Sequence, residues 1–249
     1  MRSYNRKPDQ LRPLKFTPDP LDFSHGSVQI ELGKTIVIAS ATVEENVPIF
    51  LKRKGSGWVT AEYSMLPCAT ETRTRRERGA QISGRTKEIQ RLIGRSLRAV
   101  TDLEALGERT IIIDCDVIQA DGGTRTASVT AGCVSLALAL KKLMDDDQIN
   151  QMPLKNLAGA VSVGIVNGES LLDLDYIEDS NASIDMNVIG TDIGHFVEIQ
   201  ASAEKYPLAK NKFHELLDLA EKGIKEIIKS QKELLKKKSP LFIAYNHEE

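Results

Sequence analysis

Both halves of this 249-residue chain run through strand-like segments and then into a helix, which predicts an α+β fold with helices packed on mixed sheets. Two patterns carry that prediction. Apolar residues alternate with polar or small ones at 28–32 and 158–168, and they recur at helical spacing at 86–100 and 211–235. Composition agrees: 41% of residues are apolar but only 5% aromatic, so Val, Ile, Leu and Ala must fill the core. No short-period repeat appears. We read residues 1–249 as one domain, with an N-terminal part at 1–150 and a C-terminal part at 151–249.

The first residues, 1–22, are polar and contain proline. Val28, Ile30 and Leu32 then open a strand that returns through 36–39, with the hairpin turn at 32–35. Gly33-Lys34-Thr35 inside that turn is not a P-loop. The motif needs a glycine where Val28 stands, and its lysine should open a helix rather than precede a β-branched run. Residues 44–58 read as a charged, glycine-containing loop and 58–63 as a short strand. An arginine-rich stretch comes next. From 70 to 98 nine basic residues face three acids, a local excess of +6 in a chain whose net charge is −2. Its first part, 70–84, has almost nothing to pack and reads as a loop. Its second part is a helix at 86–100, with Ile89, Leu92, Ile93, Leu97 and Val100 on one face and Lys87, Arg91, Arg95 and Arg98 on the other. That basic face is either solvated surface or a platform for a polyanion, and the adjoining arginine loop favours the polyanion.

A β-branched run at 110–118 leads into Ala120-Asp121-Gly122-Gly123-Thr124-Arg125-Thr126-Ala127, and an apolar, small-residue helix leaves it at 127–144. That helix is apolar nearly all round and should be buried. The glycines let backbone approach a ligand, Thr124 and Thr126 can cap the helix, and its first N–H groups face whatever sits on the turn. The stretch reads either as an anion site, with Arg125 adding a bidentate charge, or as an ordinary capped turn. Asp145, Asp146 and Asp147 read as the solvated end of the helix rather than a metal site.

The second half begins with a strand at 158–166 and the hairpin turn Asn167-Gly168. Further strands are expected at 170–176, 184–189 and 196–201, in meander-like antiparallel pairs, before a long amphipathic helix at 211–235. Asp179 is placed in a turn and Asp185 on the next strand, where the turn brings them together. Two such carboxylates suit Mg²⁺ and a phosphate-bearing substrate, or they merely cap a turn.

Net charge excludes a broadly basic protein. Cys68, Cys115 and Cys133 form no CxxC pair, and the four histidines are scattered, so neither a disulfide framework nor a zinc site is suggested. The N-terminal segment has no secretory apolar stretch, and no apolar run approaches membrane-spanning length. A soluble, cytoplasmic protein without membrane contact is the expectation.

Four stretches, in this order, resemble the ribonuclease PH family: GWVTAEYSMLP (57–67), GRTKEIQRLIGRSLRA (84–99), VIQADGGTRTA (117–127) and LLDLDYIEDSNASIDMNV (171–188). The resemblance covers nearly the whole chain. It implies a ribosomal-protein-like βαβα fold assembled as a homohexameric ring, a trimer of dimers. It implies a nucleotidyltransferase that acts as a phosphorolytic 3′→5′ exoribonuclease on transfer RNA precursors and other RNA 3′ ends, with ribosomal RNA processing as a further role. By the same resemblance, Arg85, Gly123, Thr124 and Arg125 bind inorganic phosphate as cosubstrate. Asp179 and Asp185 serve catalysis and Mg²⁺, and Arg73, Arg76, Arg78 and Arg91 meet the RNA. The chain departs from the family pattern in carrying Cys68 where an arginine follows Met-Leu-Pro, and in lacking a basic residue near Gln81. Both departures remove positive charge from the RNA path.

Overall fold

The computed structural model describes residues 2–77 and 82–239. The first sheet is built from β1 (Leu14–Pro18), β2 (Gly26–Leu32), β3 (Thr35–Glu44), β4 (Trp58–Met65) and β5 (Thr110–Gln119), in the order β1-β2-β3-β5-β4. The expected hairpin is β2–β3, and Gly33 in its turn takes a left-handed φ of +58°. β4 joins β5 in parallel, so this sheet is mixed. A parallel pair needs a long crossover, and here it carries α1 (Gly84–Ala99) and the short α2 (Leu103–Leu106). Ser83 starts α1 by accepting a hydrogen bond from the Thr86 N–H at 3.1 Å. The helix then buries Ile89, Leu92, Ile93 and Leu97 completely.

α3 (Thr124–Asp145) follows β5 and starts earlier than the sequence pattern suggests. It packs on β2, β3 and β5 and also on β6 (Ala158–Val166) of the second sheet. Gly132 shows why its small residues matter: a Cβ there would lie 3.3 Å from Ile113 on β5. By length and composition this helix could cross a membrane, contrary to the expectation that no run is long and apolar enough. It is instead the core helix, with 83% of its apolar window buried.

The second sheet holds β6, β7 (Glu169–Leu172), β8 (Ile184–Thr191) and β9 (Phe196–Ala203) in the order β7-β6-β8-β9. Every pair is antiparallel, as expected, but β6 lies between β7 and β8, so the order is not a simple meander, and only the first sheet is mixed. The strand expected at 170–176 stops at Leu172, because Asp173 turns the chain with a φ of +57°. The next element is a helix, α4 (Tyr176–Asn181), in place of the expected turn. α5 (Lys210–Lys238) covers the second sheet, and Gln231 in it donates to the carbonyls of Thr130 and Ala158 at 3.0 and 2.9 Å. Those two bonds tie α5, α3 and β6 together inside one continuous core.

Candidate active site

The stretch between β5 and α3 is a strand-to-helix turn in which Gly122 and Gly123 both have positive φ, +74° and +66°. The threonine expectation is corrected here. Neither Thr124 nor Thr126 caps α3; its N-cap is Gly123, with no side-chain cap. Thr126 Oγ1 donates backwards to the Gly123 carbonyl at 2.9 Å, and Thr124 Oγ1 accepts from the buried Tyr63 hydroxyl at 3.0 Å. With their side chains so engaged, the threonines leave the first N–H groups of α3 for a ligand.

The turn is held from below. Thr35, the threonine of the rejected Gly-Lys-Thr motif, is fully buried; its hydroxyl donates to Gly122 O at 2.7 Å and accepts from Asp121 N at 3.0 Å. Arg12 is buried as well. It donates to Asp121 O at 2.5 Å and to both carboxylate oxygens of Asp173, at 3.0 and 2.7 Å. Burial alone would lower the Arg12 pKa, but Asp173, together with the charges of Asp121 and Asp175, turns the net shift upward. Arg12 therefore ties the glycine turn to the segment that launches α4.

α4 carries the first carboxylate. Asp175 and Glu178 close a capping box, with each side chain accepting from the other's N–H at 2.9 and 3.1 Å. Arg2 and Arg6 grip Glu178 from beneath, at 2.6 and 3.2 Å. Asp179 thus stands on an anchored helix, open to solvent, and Asp185 stands half-buried on β8. Both line a single cleft of about 470 Å³ together with Arg85, Gly122, Gly123, Thr124, Arg125 and Asn187. Burial, then the neighbouring charge of Asp179, pushes Asp185 up to about 6, against the opposing pull of Arg125 and Arg85. Asp179 is exposed at the rim, yet the protein packed around its base still shifts it upward, against the pull of Arg125, Arg85 and Arg12. The cleft therefore sets two arginines and two carboxylates within electrostatic reach of one another. A second cavity, about 390 Å³ between α5 and the β8–β9 turn, shares no lining residue with it.

The comparisons with known proteins match this architecture. The 3′ exoribonuclease family model covers residues 10–142 with its domain 1 and residues 156–223 with its domain 2. Ribonuclease PH of Syntrophomonas wolfei is 55% identical over 235 residues, which span 94% of this chain and 98% of that protein. The chain belongs to the ribonuclease PH family. It is accordingly a phosphorolytic 3′→5′ exoribonuclease. Two solved structures share the fold at low identity. Rice Rrp46 has a TM-score of 0.76 at 21% identity over 94% of this chain and all of that one. A chain of the Archaeoglobus fulgidus exosome with RNA bound to the active site has a TM-score of 0.77 at 22% identity, over 92% of this chain and 91% of that one.

Arg85, Gly123, Thr124, Arg125, Asp179 and Asp185 all line one cleft. The arginines assigned to RNA are less uniform. Arg73 and Arg76 lie in an exposed segment without regular structure, and Thr70 and Thr74 of that segment line the cleft. Arg76 is near enough to Asp116 to oppose the upward shift that burial gives that carboxyl. Arg78 and Gln81 lie outside the described residues. Arg91 is exposed on α1, in a shallow groove with Gly84, Lys87, Glu88 and Arg95, rather than in the cleft. The basic face of α1 is also less free than its spacing implies. Arg98 donates to Val59 O at 2.7 Å and sits 4.1 Å above the Trp58 ring, a structural contact. Arg95 forms a two-bond pair with Glu198 on β9, at 2.7 and 2.6 Å.

That pair belongs to a network no sequence pattern suggested. Arg125 reaches Gln200 at 3.3 Å and Glu88 at 3.8 Å, and Gln200 donates to Glu88 and Glu198 at 3.0 and 3.1 Å. Residues of α1 and β9 together aim the Arg125 guanidinium. Arg12, Thr35, Asp173 and Tyr63 were likewise missed. Only the capping box Asp175-x-x-Glu178 had a local signature that could have revealed α4.

Proposed function

We propose that inorganic phosphate sits against Arg85, the Gly123 to Arg125 backbone and the Arg125 side chain, and attacks the 3′-terminal phosphodiester of an RNA. An oxygen of the attacking phosphate bonds to the terminal phosphorus, and the bond from that phosphorus to the 3′ oxygen of the preceding nucleotide breaks. The proton of the attacking hydrogen phosphate passes to that oxygen, which becomes the new 3′ hydroxyl. The products are a nucleoside diphosphate and an RNA one nucleotide shorter. One phosphate ester is exchanged for another, so the reaction also runs backwards, adding nucleotides from diphosphates. The observation that carries this reading is the meeting, in one cleft, of a helix N-terminus without side-chain caps, two arginines and two carboxylates.

Asp179 and Asp185 are the catalytic pair in this reading and would hold Mg²⁺. The donor set on which that rests is Asp179 and Asp185, with the Asn187 amide beside them in the same cleft. Two carboxylates beside an amide suit an ion that keeps water and takes substrate phosphate oxygens as its remaining ligands. Bound there, Mg²⁺ would neutralise charge on the reacting phosphoryl group.

Precursors of transfer RNA are the proposed substrates, with ribosomal RNA ends as a further class and Arg73, Arg76, Arg78 and Arg91 along the RNA path. Residues 1–150 and 151–249 act as parts of one domain, since the cleft draws on both. A homohexameric ring, as a trimer of dimers, is part of the same reading. So is a cytoplasmic location, which suits three free thiols, two of them buried. The test is an RNA with extra 3′ nucleotides, incubated with the protein and Mg²⁺. Nucleoside diphosphates are expected only when phosphate is added; monophosphates released without it would sink the phosphate assignment.

A further inference from the structure

Tyr176 is the aromatic residue among those lining the cleft, and its ring is left open to solvent, 61% exposed. Its backbone is firmly placed. The Tyr176 amide lies so close to the glycine turn that a Cβ on Gly122 would come within 2.8 Å of it. The capping box fixes the first turn of α4, and Arg2 and Arg6 hold Glu178 below. Tyr176 also stands three residues before Asp179, so the two share a helix face. A large aromatic side chain therefore springs from a firmly placed backbone among the residues that line the cleft, beside the glycine turn and a carboxylate. Its neighbour Ile177 is 71% exposed and does not line the cleft.

Resting on the phosphorolytic reading of the cleft, we propose that Tyr176 is the platform on which the base of the 3′-terminal nucleotide stacks. The chemistry of the site asks for such a group. Arginines and carboxylates recognise phosphate and metal, and they leave the base ungripped. An exoribonuclease must accept each base in turn as it shortens its substrate. Stacking does this, because every base presents a π-face and no hydrogen-bond pattern is read.

The test uses the full chain and an RNA oligonucleotide ending in 2-aminopurine, whose fluorescence is quenched on stacking. Without phosphate, the parent protein quenches the probe and Tyr176→Ala does not. With phosphate, Tyr176→Ala raises KM for RNA roughly 5- to 150-fold, the range that loss of one base–aromatic stack produces. KM for phosphate stays within about twofold. Tyr176→Phe restores both quenching and KM, since it keeps the ring, and Ile177→Ala behaves as the parent. The proposal is overturned if Tyr176→Ala still quenches with an unchanged KM for RNA, or if Tyr176→Phe is as defective as Tyr176→Ala. It is also overturned if Ile177→Ala and Tyr176→Ala fail alike with loss of assembly, which would make this a subunit contact. Failure of the phosphorolytic reading looks different: the parent protein itself then yields no diphosphates from phosphate.

Discussion

Replacing Gly122 with alanine tests whether the glycine turn and α4 act as one seam. Two effects are built into the substitution. The φ of +74° costs an alanine about 1–2 kcal/mol in any setting. The added Cβ also meets Asp175 C at 2.6 Å, Leu174 O at 2.7 Å and Tyr176 N at 2.8 Å, all of them backbone atoms that cannot swing aside. Restoring ordinary contact opens the seam by roughly 0.6–0.8 Å. A displacement approaching 1 Å between phosphate site and carboxylate helix lowers kcat/KM by about 100-fold. Gly168 supplies the comparison: its φ is +85°, and nothing lies within 4 Å of a Cβ built there. Gly168→Ala therefore carries the backbone cost alone, a fall in Tm of roughly 2–8 °C for a chain of this size, with activity intact. Gly122→Ala should lose more Tm than that and about two orders of magnitude in phosphorolysis. Steady-state kinetics and thermal denaturation of both variants decide it. Gly122→Ala within threefold of the parent in kcat/KM, or Gly168→Ala slowed as much as Gly122→Ala, refutes the seam.

Arg125→Ala should raise KM for phosphate at least tenfold while RNA binding holds; collapse of RNA binding in a filter assay would make Arg125 an RNA contact. Asp185→Asn should abolish phosphorolysis yet raise Tm at pH 8 in a chelator. The sign comes from the folded pKa of about 6, which lies above the ordinary 3.8. The ionised form is disfavoured by folding, so the aspartate lowers stability as pH rises through that window, and asparagine removes the effect. The Tm difference should fade below about pH 4, where the aspartate is protonated both folded and unfolded; an Asn variant less stable than the parent at pH 8 contradicts this. At limiting Mg²⁺, activity that needs the Asp185 carboxylate falls as pH drops through about 6, and a profile rising there would assign Asp185 the role of acid instead. Cys68→Arg should tighten RNA binding and steepen its salt dependence by about 0.7 in log K per log salt, one added phosphate contact on a single strand; an unchanged slope would make the cysteine silent.

Most elements could be read from local pattern. The β2–β3 hairpin, α1, β5, α3 and α5 all announce themselves by alternation, helical spacing or paired glycines, which act over a few residues. α4 was missed because six residues cannot show a period, and the Asp175-x-x-Glu178 box that starts it was passed over. The supports of the site were hidden for a different reason. Arg12 lies in a polar stretch with no periodicity, and its partner Asp173 is 161 positions away. Thr35 sits in a motif whose familiar meaning is nucleotide binding, and its real task is to hold the glycine turn. Arg98 looked like one of a solvated stripe because spacing records which face a residue takes, and is silent on the Trp58 ring that covers that face.

Arg12 also makes the fold a check on its own completeness. Its guanidinium joins three stretches far apart in the chain: the N-terminal segment ahead of β1, the glycine turn and the entrance to α4. A product of interrupted synthesis that ended after α3 would have the phosphate turn but no Asp173. Its arginine would then lack its carboxylate, a defect worth about 3–5 kcal/mol against a domain's roughly 5–15 kcal/mol of stability, and the core shared with the second sheet and α5 would be missing as well. Such a fragment fails to fold, rather than persisting as an anion-binding stub that could occupy RNA ends without trimming them.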